Sequence, residues 1–118
     1  MGVDLTLLPF DADFYSHTML QVERRRELWP KVTALDSAPL ALVSKDFHCY
    51  LARDRNGETR YGTLPREDPY GTPYRCTTAG ALSKLWTDPE VRDNVRNRAI
   101  WDYLAALPPD TRVVLHWH

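Results

Sequence analysis

Five side chains between residues 61 and 75 combine aromatic rings with guanidinium groups: Tyr61, Arg66, Tyr70, Tyr74 and Arg75. Such rings stack on planar groups such as bases, and arginine forks match phosphate or carboxylate oxygens in pairs. Thr77 and Thr78 follow at once and read as the cap of a helix over residues 79–86. The first backbone N–H groups of that helix would favour an anion. With His17, these residues predict a site for a small anionic, nucleotide-like ligand or for an acidic patch on a protein. Asp68-Pro69-Tyr70-Gly71 has the residue order of a type I turn. Residues 61–86 hold three of the nine prolines, so an ordered loop is expected, because proline lowers the entropy lost on folding. The plainer alternative is a structural cover over one end of a sheet, with the tyrosines in the core and the arginines paired on the surface.

A second set is built around histidines. His116 and His118 stand two apart and project from one face if they lie on a strand. With Asp4 or His17 beside them they are candidates for a metal site such as zinc. Asp4, His17 and His116 are equally candidates for acid–base catalysis in a small hydrolase-like or metal-dependent enzyme. Ser16-His17 and His48-Cys49 are not nucleophile–base pairs, because strand neighbours point to opposite faces. The chain has no HExxH, GxSxG, Walker A or Rossmann glycine pattern. The residues therefore favour binding over catalysis, with no catalytic residue, resident metal or cofactor expected.

The elements that must position these groups are legible as alternations and periods. Val3, Leu5 and Leu7 alternate with Asp4 and Thr6, which predicts a half-buried strand over residues 2–9. Residues 17–23 repeat the pattern, with Thr18, Leu20 and Val22 on one face. Leu28, Val32 and Leu35 have helical spacing within 24–35, and Pro30 bends that helix or marks its first turn. Arg24-Arg25-Arg26 reads as a solvated helix face. Residues 47–52 and 59–61 flank Asn56-Gly57, the strongest hairpin signal in the chain. Thr87 and Glu90 have capping-box spacing ahead of a helix over 89–107, whose apolar face would be Val91, Val95, Ala99, Ile100, Tyr103, Leu104 and Leu107. Pro108-Pro109 stops it, and residues 111–117 form a last strand with Val113, Leu115 and Trp117 on one side. The order β-β-α-β-β-α-α-β gives a single α+β domain over residues 1–118. Its mainly antiparallel sheet has about four to five strands, with helices packed on one face and the first and last strands near neighbours. The opposite face then gathers Asp4, Thr6, His17, Gln21, Glu23, Arg112, His116 and His118.

Composition sets outer limits. Fifteen basic against sixteen acidic residues leave a net charge of −1, which argues against nucleic acid as the partner. No apolar run approaches the roughly 20 residues of a membrane span, and the first residues lack the charged-then-apolar pattern of a signal peptide. Gly2 and Thr6 formally match a myristoylation motif, but their neighbours alternate as a strand. Cys49 and Cys76 lie far apart and read as free thiols, with one disulfide as the alternative. Four tryptophans in so small a domain predict that some stay outside, an apolar patch that favours a homo-oligomer.

GVDLTLLP, SHTMLQVERRRELW and EDPYGTPYRCTTAGALSKLW together resemble a group of small uncharacterised proteins encoded by bacteriophages and prophages. The resemblance spans most of the chain and carries no catalytic motif. It implies the cytoplasm of an infected bacterium as the setting. It further implies an anti-defence role, exerted by sequestering a nucleotide signal of host immunity or by blocking a host defence protein. A structural or assembly protein of the particle is the remaining alternative.

Overall fold

A computed structural model of the chain describes residues 4–10, 15–16, 19–23, 27–39, 48–53, 59–63 and 70–118. In chain order its strands are β1 (Leu5–Phe10), β2 (Tyr15–Ser16), β3 (Leu20–Val22), β4 (Ala38–Pro39), β5 (His48–Arg53), β6 (Thr59–Thr63), β7 (Arg75–Thr78) and β8 (Arg112–Trp117). The helices are α1 (Leu28–Thr33), α2 (Ala79–Ser83), α3 (Pro89–Arg92) and α4 (Val95–Ala106). Five strands form one antiparallel sheet in the order β3-β1-β8-β7-β4, and β2, β5 and β6 form a second. The architecture is α+β, as the element pattern predicts.

β1 and β8 pair from Leu5 opposite Trp117 to Phe10 opposite Arg112, so the first and last strands are neighbours at the centre of the sheet. Their alternation sends Leu5, Leu7, Val113 and Leu115 to one side, where Val22 of β3 joins them. Leu28 and Val32 of α1, Leu82 of α2, Val91 of α3 and Ile100, Trp101 and Leu104 of α4 close over them. Each such side chain contributes roughly 1.5–3 kcal/mol on full burial. The opposite face is not the wholly polar surface that simple alternation predicts. It carries Thr6, but also Leu8, Phe10, Tyr74, Cys76 and Val114, all buried. The runs Leu7-Leu8-Pro9-Phe10 and Val113-Val114-Leu115 already break strict alternation, as strands covered on both sides do.

Three further strands differ from the sequence reading. β2 and β4 fall in stretches expected to be connections, and β7 falls in the expected binding loop. β7 lies between β8 and β4, with Cys76 opposite Val114 on one side and Ala38 on the other. The expected hairpin is present as β5 and β6, with a register shift between Tyr50 and Ala52, and its Asn56-Gly57 turn lies outside the described residues. The expected strand over 17–23 is described from Leu20 to Val22, and Pro30 sits in the first turn of α1. Cys76 is a free thiol. Among the described residues no helix is long and apolar enough to cross a membrane.

The expected continuous helix over 89–107 breaks in two. Asp88, not Thr87, caps α3, its carboxylate accepting from the Glu90 N–H at 3.0 Å, with Pro89 at the first helical position. Asn94 then caps α4, accepting from the Asn97 N–H at 2.9 Å. Asparagine competes with the helical backbone in an interior and favours a start. The restart shifts the helical phase. Asn97, Ile100, Trp101 and Leu104 turn inward, while Val95 is 77% exposed and Tyr103 42% exposed, so neither belongs to the core face. Trp101 is fully buried and its Nε1–H donates to the Leu82 carbonyl at 2.7 Å, tying α4 to α2. Trp29, Trp86 and Trp117 are partly buried against the same core. None of the four is among the strongly exposed apolar side chains.

Asn97 is the fully buried polar centre of this arrangement. Its Oδ1 accepts from the Glu23 N–H at 2.8 Å, and its Nδ2 donates to the Glu90 carbonyl at 3.1 Å and the Glu23 carbonyl at 3.4 Å. Asn97→Ala removes these three hydrogen bonds, each worth about 0.5–1.5 kcal/mol net. Urea unfolding is expected to show a loss of at least about 2 kcal/mol, and a loss within about 0.5 kcal/mol, as at neutral surface sites, would contradict this role.

Lys31 donates to Asp88 across the α1–α3 contact. Burial opposes ionisation of Asp88, but the hydrogen bonds from Lys31 and the Glu90 amide outweigh it and hold the carboxyl below its ordinary value. The stability this adds is complete above the ordinary aspartate pKa, about 3.9, and is lost as pH falls through the folded value. Asp88→Asn keeps a competent cap and removes that titration. Its stability, followed by circular dichroism below about pH 4, is expected to fall less steeply than that of the wild type.

Candidate functional site

The Tyr–Arg segment proves to be stitched into the fold where it is described. Gly71 has φ +78°, the left-handed conformation that glycine supplies, and Tyr70 beside it is 57% exposed. Tyr74 is buried, its ring edge-to-face with His116 at 5.4 Å. Arg75 donates from Nε to Ser37 Oγ at 2.7 Å and from Nη2 to the Ser37 carbonyl at 2.9 Å. Thr77 donates to the Asp36 carbonyl at 2.6 Å. Together these bonds fasten β7 to the chain leading into β4.

Thr78 is the cap that its sequence position predicts, its Oγ1 accepting from the Ala81 N–H at 3.1 Å. The expected anion site at this helix start does not form. Ala79 N–H donates to the Thr111 carbonyl at 2.8 Å and Gly80 N–H to the Pro109 carbonyl at 2.9 Å, so the N–H groups meant for an anion are already bonded. A Cβ on Gly80 would lie 3.0 Å from the Pro109 oxygen, which is why the close approach uses glycine. Tyr61 falls within β6, opposite Tyr50. Arg66 and His17 lie outside the described residues.

The histidine set is partly assembled. Asp4 and His118 exchange backbone hydrogen bonds at 2.7 and 2.9 Å. His118 Nε2 is 2.8 Å from Thr6 Oγ1, and the His116 and His118 rings are 5.0 Å apart. Among the described residues no group of three or more histidine, cysteine or acidic side chains could hold a metal. Cys76 lies on the same face. Burial pushes its thiol pKa up, and the Arg112 guanidinium offsets part of that rise.

A groove that the sequence reading did not anticipate opens at the outer edge of β3. It encloses about 500 Å³. Leu20, Ile100 and Ala99 supply apolar lining, Met19 and Tyr103 stand partly exposed, and Thr6, Gln21 and Arg96 supply polar groups. The size suits a small ligand or a few residues of peptide. Among the described residues that line it, Arg96 is the one charged side chain. The sequence signal was the spacing of Arg96, Ala99, Ile100 and Tyr103, one stripe of a helix. Its outward phase becomes visible only once Asn94 is recognised as a helix start.

Compared with protein-family models, curated proteins and solved structures, the chain matches none of them.

Two tyrosines four residues apart should respond in opposite ways. Tyr74→Ala opens space in a buried site and is expected to cost about 3–5 kcal/mol, as other large-to-small aromatic changes do. Tyr70→Ala, on an exposed turn, is expected to stay within about 0.5 kcal/mol. Thermal unfolding of the two variants checks the assignment, and equal losses would refute it.

Proposed function

We propose that this is a phage-type binding protein that counters host bacterial immunity in the cytoplasm of the infected cell. It does so by holding a nucleotide-like signal or a defence protein in the groove between β3 and α4. The observation that carries this reading is the groove itself. A cation, a phenol and an amide converge there over an apolar floor, and no described residue engages the side chains of Arg96, Tyr103 or Gln21. Few placed polar groups over an apolar lining is the usual chemistry of a binding site. The resemblance of GVDLTLLP and EDPYGTPYRCTTAGALSKLW to small phage proteins supports the setting. An enzymatic reading retains one supporting observation, that Asp4, Thr6, His116 and His118 share one region of β1 and β8.

Native mass spectrometry of the wild type and of Arg96→Glu, each with a panel of cyclic and linear nucleotides and with host lysate, tests the reading. The wild type is expected to retain an unaltered nucleotide or a host protein. Arg96→Glu is expected to lose at least about tenfold in affinity, the equivalent of roughly 1.4 kcal/mol for a lost charged contact. A bound species that ignores Arg96→Glu would remove the groove from the proposal. Conversion of a nucleotide that stops on His116→Ala would replace binding with catalysis.

A further inference from the structure

We infer that the partner of the groove is an extended peptide segment of a host protein. It adds as a strand beside β3, with an acidic side chain directed to Arg96 and an apolar one two residues away. The inference rests on the groove being the binding site and goes further in naming what occupies it.

The hydrogen-bond parity of the sheet sets which groups face outward. Asp4 and His118 exchange two backbone bonds, so Asp4, Thr6 and Leu8 direct their main-chain groups to β8. Leu5 and Leu7 must then direct theirs to β3, toward Val22 and Leu20. Gln21, between those two partners, points its N–H and carbonyl away from the sheet. Glu23 has the same parity, and its N–H and carbonyl are the groups that the Asn97 amide binds. Asn97 thus occupies the outer edge of the sheet as a neighbouring strand would, and it ends one step short of Gln21.

Among the described residues none pairs with that position, and its surroundings suit a strand. The lining includes Leu20 and Ile100 from the helix-covered side of the sheet and Thr6 and Gln21 from the other, so the groove follows the edge itself. β3 has neither a charge nor a proline among Leu20-Gln21-Val22, two common guards of an exposed edge. Arg96 and Tyr103 lie seven helical residues apart, a rise of about 10 Å. About three residues of extended chain span the same length. Side chains two apart on that chain share a face, so a carboxylate at Arg96 and an apolar group over Ile100 and Tyr103 fit one segment. Arg96 supplies the charge complementarity that selects an acidic partner.

The test is a library of labelled hexapeptides with Asp or Glu two residues from Leu, Ile or Val, read by fluorescence polarisation. Selected peptides are then N-methylated at alternate residues, which removes N–H donors without touching the protein. Methylation on one parity is expected to weaken binding at least tenfold and on the other to leave it unchanged, because only one edge of an added strand faces β3. Gln21→Pro, a change tolerated where an edge N–H faces outward, is expected to abolish binding while circular dichroism stays that of the folded chain. Arg96→Glu should exclude the acidic peptides.

Equal tolerance of methylation on both parities would overturn the added strand. So would a dimer through β3 that the peptide does not disperse. Nucleotides that bind in an Arg96-dependent way while no peptide does would end this inference and leave the groove as the site. If neither binds, the groove reading fails with it.

Discussion

A single buried amide decides where three elements end. Asn97 binds the backbone of Glu23 and the carbonyl of Glu90, and its own N–H is held by the Asn94 side chain. These hydrogen bonds join the end of β3 to the helices through one fully buried side chain. The amide therefore ties the end of β3 to the junction of α3 and α4, where Asn94 restarts the helix, and fixes the rotation of α4. From that rotation follow the inward face of Trp101 and the outward face that lines the groove. A polar residue at the centre thus shapes a groove at the surface.

Around this centre the central sheet is buried on both sides. Leu5 and Leu7 meet the helices, and Leu8, Phe10 and Val114 are buried on the reverse. The aromatic loop that looked most like a ligand site helps to hold this sheet together. Arg75 and Thr77 grip the chain at Asp36 and Ser37, and the start of α2 is closed by the carbonyls of Pro109 and Thr111. Where that segment is described, the polar groups of Arg75, Thr77 and Thr78 bond within the same chain.

Much of the architecture was legible in the sequence, because alternation in β1 and β8 and the Asn-Gly signal report directly on strands and a hairpin. Thr78 was recognisable as a cap for the same local reason. What stayed hidden depended on tertiary context. β7 reads as a loop because Arg-Cys-Thr-Thr has no long alternating run, and only its two flanking strands make it one. The face of α4 was misread because an unbroken period from Val91 to Leu107 ignores the restart at Asn94, which places Val95 and Tyr103 outside. The groove lay beyond reach for that reason. It is made by residues 19–21 and 96–103, brought together by an amide whose role a linear pattern does not reveal.

The pairing of β1 with β8 also orders events in time. β1 waits for β8, more than a hundred residues further along the chain, before the central pairing of the sheet can form. Helices can form locally while the ribosome is still adding residues, but the layer on which they rest cannot. Contacts so distant along the chain close slowly, since their entropy is lost before their burial is gained. β3 can cover one edge of Leu5 to Leu7 early, but the edge that faces β8 stays open until that strand is made. The five-stranded sheet is complete only when Arg112 to Trp117 has been added.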